Sequence, residues 1–179
     1  MILHCFKRTI FFLLLTCIIF VKPLLAQQSS QTVKIGIYDS RAVAIAYSNS
    51  DSFQKDIGNL MTQYKKAKEE NNTKLVEALE KEGQFQQQLL HEQTFSVGTV
   101  SNIIDKIKDK LQEIAKNTGV SLIISKWEVA YKDPSLEYID VTSQIVDLFS
   151  PSKQTLKWIK DLQQQTPIPI DKISIDTGK

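Results

Sequence analysis

The chain has very few of the side chains from which most catalytic and metal sites are built. Its 179 residues include two cysteines and two histidines, and beyond the first 26 residues only His91 remains. A zinc site made from cysteine and histidine is therefore close to excluded there, and so is a disulfide framework. Any serine–histidine–aspartate or histidine-ligated metal site would have to be built around His91. An enzyme that uses Asp39, Ser40, Arg41 or His91 is the least favoured interpretation, so we predict no catalytic residues.

The chain also has few glycines and a small net charge. The six glycines form no phosphate-binding loop, and Gly36 stands alone in the first apolar alternation. The whole chain has a net charge of +2, which becomes −1 (19 basic and 20 acidic side chains) once the first 26 residues are removed. Proteins that bind nucleic acid need a surplus of lysine and arginine against phosphate. We therefore expect no nucleic-acid partner, no metal and no cofactor.

The N-terminal segment has the pattern of a secretory signal peptide. Lys7 and Arg8 precede an apolar run over 9–21, and Ala26 offers a small residue for cleavage. The run is shorter than the roughly 20 residues that cross a membrane, which disfavours a retained anchor. The pattern predicts a signal peptide over 1–26 and a soluble, exported mature chain of 153 residues without a membrane span.

Apolar alternation at both ends of the remaining chain predicts a small β-sheet. Residues 33–38 alternate as a strand does, 120–131 has the pattern of two short strands, and 138–142 has that of a third. Asp39 or Ser40 can cap a short helix that follows the first strand. The predicted fold class is α+β, with one sheet formed from both ends of the chain.

The stretch between these segments predicts a helical arm over about 51–117. Its apolar residues fall on stripes with the helical period and leave wide charged or amide faces, as in an extended hairpin or coiled coil. Asn71-Asn72-Thr73 interrupts the pattern, and Gly58 and Gly83 predict that the arm is bent or broken. The stripes supply the candidate client-binding or partner-binding residues Phe53, Ile57, Leu60, Met61, Tyr64, Phe85 and Leu89.

A second group of candidate residues lies at the predicted strand ends. The group consists of Asp39, Ser40, Arg41, Lys126 and Trp127. Functional side chains often follow strand ends, so a polar site is one interpretation. An ion pair between Asp39 and Arg41, with a helix cap at Ser40, explains the same residues without any ligand.

The C-terminal segment 151–179 predicts one further helix and a proline-containing tail. Thr142 is placed to cap the short helix before this segment. Residues 154–165 have the period of an amphipathic helix, and 167–170 predict an extended end because two prolines lie within it.

Two motifs near the C-terminal strands resemble the Skp/OmpH family of periplasmic chaperones for outer-membrane proteins. Val129-Ala130-Tyr131 and Ile139-Asp140-Val141-Thr142 are similar to that family's sequence of aliphatic strand, polar turn and short helix. The resemblance covers roughly 33–149 and is strong only over 119–149. It implies a trimer whose strands join in a small central barrel while helical arms enclose a client.

The arm departs from that family. Its charges between Lys55 and Glu82 balance at six basic and six acidic, whereas family arms are typically basic, and 150–179 has no obvious counterpart. The leading interpretation is an ATP-independent holdase for unfolded or outer-membrane proteins. The alternative is an envelope adaptor or structural protein that uses the same homo-oligomeric core to bind one folded partner, and an enzyme ranks last.

Overall fold

The structure, a computed structural model, describes residues 32–173 and has the predicted α+β class. The predicted signal peptide lies outside these residues. The strands are β1 (Lys34–Tyr38), β2 (Leu122–Ser125) and β3 (Glu137–Asp140). The helices within 32–173 are α1 (Ser40–Ser48), α2 (Asp51–Glu69), α3 (Thr73–Phe95), α4 (Ser101–Thr118), α5 (Thr142–Asp147) and α6 (Lys153–Gln163).

The three strands form one parallel sheet in the order β2-β1-β3. The central strand β1 places Ile37 opposite Ile124 of β2 and Asp140 of β3. Strands from both ends of the described chain thus meet in one sheet, as the alternation predicts. Parallel neighbours need a long crossover, and the helices α1 to α4 provide the one between β1 and β2. The carboxyl ends of all three strands consequently lie at one edge.

The prediction of two strands over 120–131 is wrong for the second of them. The strand ends at Ser125, whose carbonyl accepts a hydrogen bond from the Glu128 amide at 3.1 Å and so closes a turn. The chain leaves the strand direction here because the Trp127 indole hydrogen-bonds to a buried carboxylate at the sheet edge. Tyr131, which the pattern assigns to a strand, is 75% exposed.

Helix α1 lies at the centre of the hydrophobic core. Its residues over 42–47 are apolar on every side, which is typical of a buried helix, and all of them are buried. Of the two predicted cap residues, Asp39 is the N-cap, because its carboxylate accepts from the Arg41 amide at 3.1 Å. Ser40 is the first residue of the helix, so the prediction of a cap at Ser40 is wrong. Helices α3, α5 and α6 pack against α1. This packing fixes the polar residues at the start of α1.

The predicted cap at Thr142 is wrong. Helix α5 begins at Thr142 with Val141 in the capping position, and no side chain caps it. The Thr142 hydroxyl instead accepts from the Asp39 amide at 2.9 Å. The Asp140 carboxylate accepts from the Thr142 amide at 2.8 Å. These two hydrogen bonds join the carboxyl ends of β1 and β3.

Helices α2 and α3 pack against each other as a hairpin. Asn71 takes a left-handed φ of 53° in the turn, a conformation that asparagine tolerates better than most residues. Asn72 caps α3 by accepting from the Leu75 amide at 3.2 Å. Both helices run without a break through Gly58 and Gly83, so the predicted break at these glycines is wrong.

Helix α4 differs from the hairpin because its apolar stripe is part of the core. Ile103, Ile107 and Ile114 are buried there among the residues of α1 and α5. Gly119 ends the helix with a left-handed φ of 71°, a conformation that glycine adopts without steric cost.

The C-terminal helix α6 packs on α1 through Thr155, Ile159 and Leu162, which are buried. The tail after it is held to the hairpin helix α3, because the Ile168 amide donates to the Phe95 carbonyl at 2.8 Å. A short 3₁₀ turn over Ile170–Lys172 follows, which the sequence did not indicate. Among residues 32–173 there is no helix with the length and apolarity to span a bilayer.

Candidate functional site

The structure brings the predicted polar residues together at the carboxyl edge of the sheet. Asp39 is fully buried, and its carboxylate oxygens lie 2.8 Å from Lys126 Nζ and 3.6 Å from Arg41 Nε. The Trp127 indole N–H donates to the same carboxylate at 3.0 Å. We call Asp39, Arg41, Lys126 and Trp127 the polar cluster. The Asp39 carboxylate thus contacts two cations and an indole, and it links α1 to the turn after β2.

The charge state of Asp39 follows from opposing influences. Burial is the largest and by itself would raise the pKa of the carboxyl. The contacts from Lys126 and Trp127, together with the charges of Lys126 and Arg41, outweigh burial and hold the pKa of Asp39 below its usual value. The group is ionised at neutral pH and is poorly matched to general base catalysis there.

Arg41 closes the polar cluster on its other side. Its Nη1 donates to the Gln165 carbonyl at 3.1 Å, and its guanidinium carbon lies 4.8 Å from the centre of the Trp127 ring. Lys126 Nζ lies 4.5 Å from the same ring centre. Because the Asp39 and Arg41 side chains are each 1% exposed, a solute has no access to their charges. The polar cluster therefore acts as a structural link between the sheet edge and the C-terminal segment.

Ser40, the fifth predicted polar residue, faces a separate small cavity of about 180 Å³. Tyr38, Ser125 and Glu128 line this cavity with it. Burial and the negative charge of Glu128 raise the pKa of Tyr38 to about 12, so its hydroxyl stays protonated at neutral pH. Over 32–173 no group of three or more histidine, cysteine, aspartate or glutamate residues is placed to hold a metal ion.

Three of the predicted apolar residues meet in a groove. Phe53, Ile57 and Leu60 are half-buried and line a space of about 450 Å³ where α2 and α3 meet α1 and α4. Tyr47 of α1 supports this lining, with its ring edge-on to that of Phe53 at 5.4 Å between ring centres. We call this space the groove.

The other four predicted apolar residues do not line the groove. Met61 and Phe85 are 48% and 57% exposed on the hairpin surface. The Tyr64 hydroxyl donates to the Glu80 carboxylate at 2.9 Å and so ties α2 to α3. Leu89 is half-buried on α3. Three of the seven residues thus line the groove, and of the other four only Met61 and Phe85 are exposed.

Asp56 belongs to the groove, although the sequence pattern did not single it out. Its carboxylate lies 2.9 Å from Lys106 Nζ and accepts from the Tyr47 hydroxyl at 2.9 Å. The hydrogen bond from Lys106 has the largest effect and lowers the pKa of Asp56. Burial raises this pKa, and the hydrogen bond from the Tyr47 hydroxyl lowers it again. Lys106 is 50 positions away along the chain, so no local spacing could have revealed the pair.

His91 lies apart from the polar cluster and the groove. It is half-buried on α3, and its ring packs edge-on against Phe95 at 5.8 Å between ring centres. The groove and the exposed hairpin surface are thus two open features of the described chain that do not involve His91. Comparison with family models, with curated proteins and with solved structures found no match to this chain.

Proposed function

We propose that this protein is an exported binding protein that holds unfolded or outer-membrane polypeptides on its helical hairpin, without nucleotide or metal. One observation carries the proposal. Helices α2 and α3 have 19 and 23 residues, yet each has a single buried residue, Ala67 and Gln93. Amphipathic helices that bury so little against their own core leave their apolar positions available to another molecule.

Exposed apolar side chains along the hairpin support this proposal. Met61, Leu75 and Phe85 are 48%, 40% and 57% exposed. Burying one such side chain fully contributes about 1.5–3 kcal/mol, so several contacts are needed to hold a client. The charges over 55–82 of the hairpin balance at six basic and six acidic, which favours clients chosen by apolar content and not by net charge.

The proposal includes assembly into a homo-oligomer, most simply the trimer that the Skp/OmpH resemblance implies. Among the described residues β2 and β3 are the edge strands of the sheet, and apolar side chains lie at one end of it. Val33 and Leu122 are 51% and 52% exposed there. A second copy that covers this end would remove apolar surface from water and protect an edge strand.

A second candidate function, an adaptor for one folded partner, is favoured by the C-terminal helix. Helix α6 packs on α1, yet Leu156 and Trp158 of the same helix are exposed. Tryptophan is enriched at protein interfaces because its large ring contributes much contact area.

Suppression of aggregation tests the first function directly. The secreted chain, added in near-stoichiometric amounts to an unfolded outer-membrane protein diluted from urea, should keep light scattering low. The double variant Met61→Ser/Phe85→Ser should weaken this suppression several-fold. His91→Gln is the control and should stay within about threefold of the native chain. A chain that leaves aggregation unchanged but captures one folded envelope protein would replace the holdase by the adaptor.

Export has its own test. Mass spectrometry of the exported protein should find the 153-residue chain that begins at Gln27. An intact N-terminus recovered in a membrane fraction would contradict this part of the proposal, since the apolar run would then act as an anchor.

A further inference from the structure

Carboxamide side chains border the groove on three of its helices. They are Asn59 and Gln63 of α2, Gln86 of α3 and Asn102 of α4. Except for the half-buried Gln86, all are exposed, whereas the apolar lining residues are half-buried. An amide offers both hydrogen-bond donors and an acceptor and carries no charge. The groove therefore combines an apolar interior with a neutral hydrogen-bonding border.

Two of these amides are held in fixed orientations. Gln86 donates its NH₂ group to Glu82 at 2.7 Å, which leaves its carbonyl oxygen for a ligand. The Asn102 carbonyl accepts from the Gln93 amide at 2.6 Å, which leaves its NH₂ group. Gln93 is itself buried and also donates to the Thr99 carbonyl at 2.7 Å. The border thus presents an oriented acceptor on α3 and an oriented donor on α4.

The charged groups of the groove include one ion pair and one further carboxylate. Asp56 and Lys106 form an ion pair at 2.9 Å, whereas the exposed Glu82 accepts a hydrogen bond from the neutral Gln86 amide and keeps its negative charge. The lining within 32–173 therefore holds no unpaired cation that would select an anionic ligand. A neutral ligand with both N–H and C=O groups and one apolar part fits this lining.

We propose that the groove is a subsite for an extended polypeptide segment, in which one large apolar side chain contacts Phe53, Ile57 and Leu60. The bordering amides pair with the backbone N–H and C=O groups of the flanking residues. This inference rests on the proposed function and specifies what the hairpin recognises. Helices and sheets satisfy their backbone groups internally, so an unfolded segment is the class of chain that offers them.

Short labelled peptides bound to the full secreted chain test this inference. The probe is an eight-residue serine-threonine peptide with one central leucine, measured by fluorescence anisotropy. Replacing this leucine by alanine should weaken binding at least tenfold, because most of the buried apolar area is lost. Methylating one backbone nitrogen beside the leucine should weaken binding about fivefold, the effect of one lost neutral hydrogen bond.

Protein variants separate the amide border from the apolar interior. Gln63→Met and Gln86→Met keep side-chain length and add apolar surface, yet each should weaken peptide binding about fivefold. The matched control is Gln84→Met, an exposed glutamine of α3 that does not line the groove. Equal or tighter peptide binding by the Gln63→Met and Gln86→Met variants would overturn the backbone-pairing inference.

The outcome is distinguishable from failure of the proposed function. Suppose that the native chain suppresses aggregation, but that peptide affinity changes neither when the central leucine is replaced nor in the two glutamine variants. The groove inference then fails and the holdase proposal stands. If the native chain neither suppresses aggregation nor binds the peptide, both fail together.

Discussion

Asp39 has three structural roles at once. Its carboxylate caps α1 and pairs with Lys126 and Arg41, while its backbone N–H donates to the Thr142 hydroxyl. These contacts reach the turn after β2 and the start of α5, so one residue joins all three carboxyl ends of the sheet. Removing one partner of a buried charge cluster is costly because the remaining charge stays buried without compensation.

Asp39→Asn should therefore destabilise the fold. We expect a loss of about 3 kcal/mol in the free energy of unfolding at pH 7, measured by urea titration. Glu113→Gln, on the exposed side of α4, is the control and should stay within about 0.5 kcal/mol. Equal stability of the Asp39→Asn variant and the native chain at pH 7 would show that the ionised carboxylate is not needed.

The stability difference between the native chain and the Asp39→Asn variant has a defined pH dependence. The folded pKa of Asp39 is lower than its unfolded value of about 3.9, so the unfolded state binds the proton first as the pH falls. The contribution of the carboxylate is present above about pH 4 and is lost as the pH falls through the lower folded pKa. The stability difference between the native chain and Asp39→Asn should thus shrink only below about pH 4.

We expect the substitution of glycine by alanine to have opposite effects on stability at Gly119 and Gly58. Gly119→Ala should destabilise by about 1 kcal/mol, because an L-residue is strained at its φ of 71°. Gly58 lies inside α2 with nothing within 4 Å of a Cβ, so Gly58→Ala should stabilise by about 0.5–1 kcal/mol. Urea unfolding of the two variants checks the signs, and a destabilising Gly58→Ala would mean that the helix there needs a glycine.

At the scale of elements, α6 is part of the hydrophobic core. Ile159 is 6% exposed within the core cluster. Ile159→Ala should cost about 2–5 kcal/mol through lost burial and a cavity. Lys157→Ala, at an exposed position of the same helix, should change stability by less than about 0.5 kcal/mol. Thermal unfolding curves check this difference between the two variants. If α6 were only loosely attached to the core, neither variant would change the stability.

The hairpin should be the least stable helical element of the described chain. Helices α2 and α3 bury one residue each, whereas α1 buries eight of its nine. Local opening costs less free energy where few apolar contacts have to be broken. In native-state hydrogen exchange, amides of α2 and α3 should exchange much faster than those of α1. Equal protection would indicate that another copy covers the hairpin.

At the scale of the whole molecule, assembly is the central expectation. Light scattering of the mature chain at micromolar concentration should give the mass of a trimer. Leu122→Lys, on the exposed side of an edge strand, should shift this mass toward the monomer because lysine opposes edge-to-edge pairing. Thr73→Lys, exposed near the hairpin turn, is the control and should leave the mass unchanged. A monomeric native chain would contradict the trimer.

The sequence by itself determined the local features of this protein. The period of the apolar residues located the first strand and the helices, and short polar residues located the cap at Asp39 and the interruption at Asn71-Asn72. These features depend on side chains within a few positions of one another, which is the range that a sequence pattern records.

Only the tertiary structure decided the features that join distant parts of the chain. Trp127 leaves the strand because its indole reaches a carboxylate 88 positions away, and the Thr142 hydroxyl bonds to a backbone amide 103 positions away. The Asp56–Lys106 pair spans 50 positions. Such contacts override local preference because burying or pairing a side chain outweighs the small differences in propensity between helix, strand and turn.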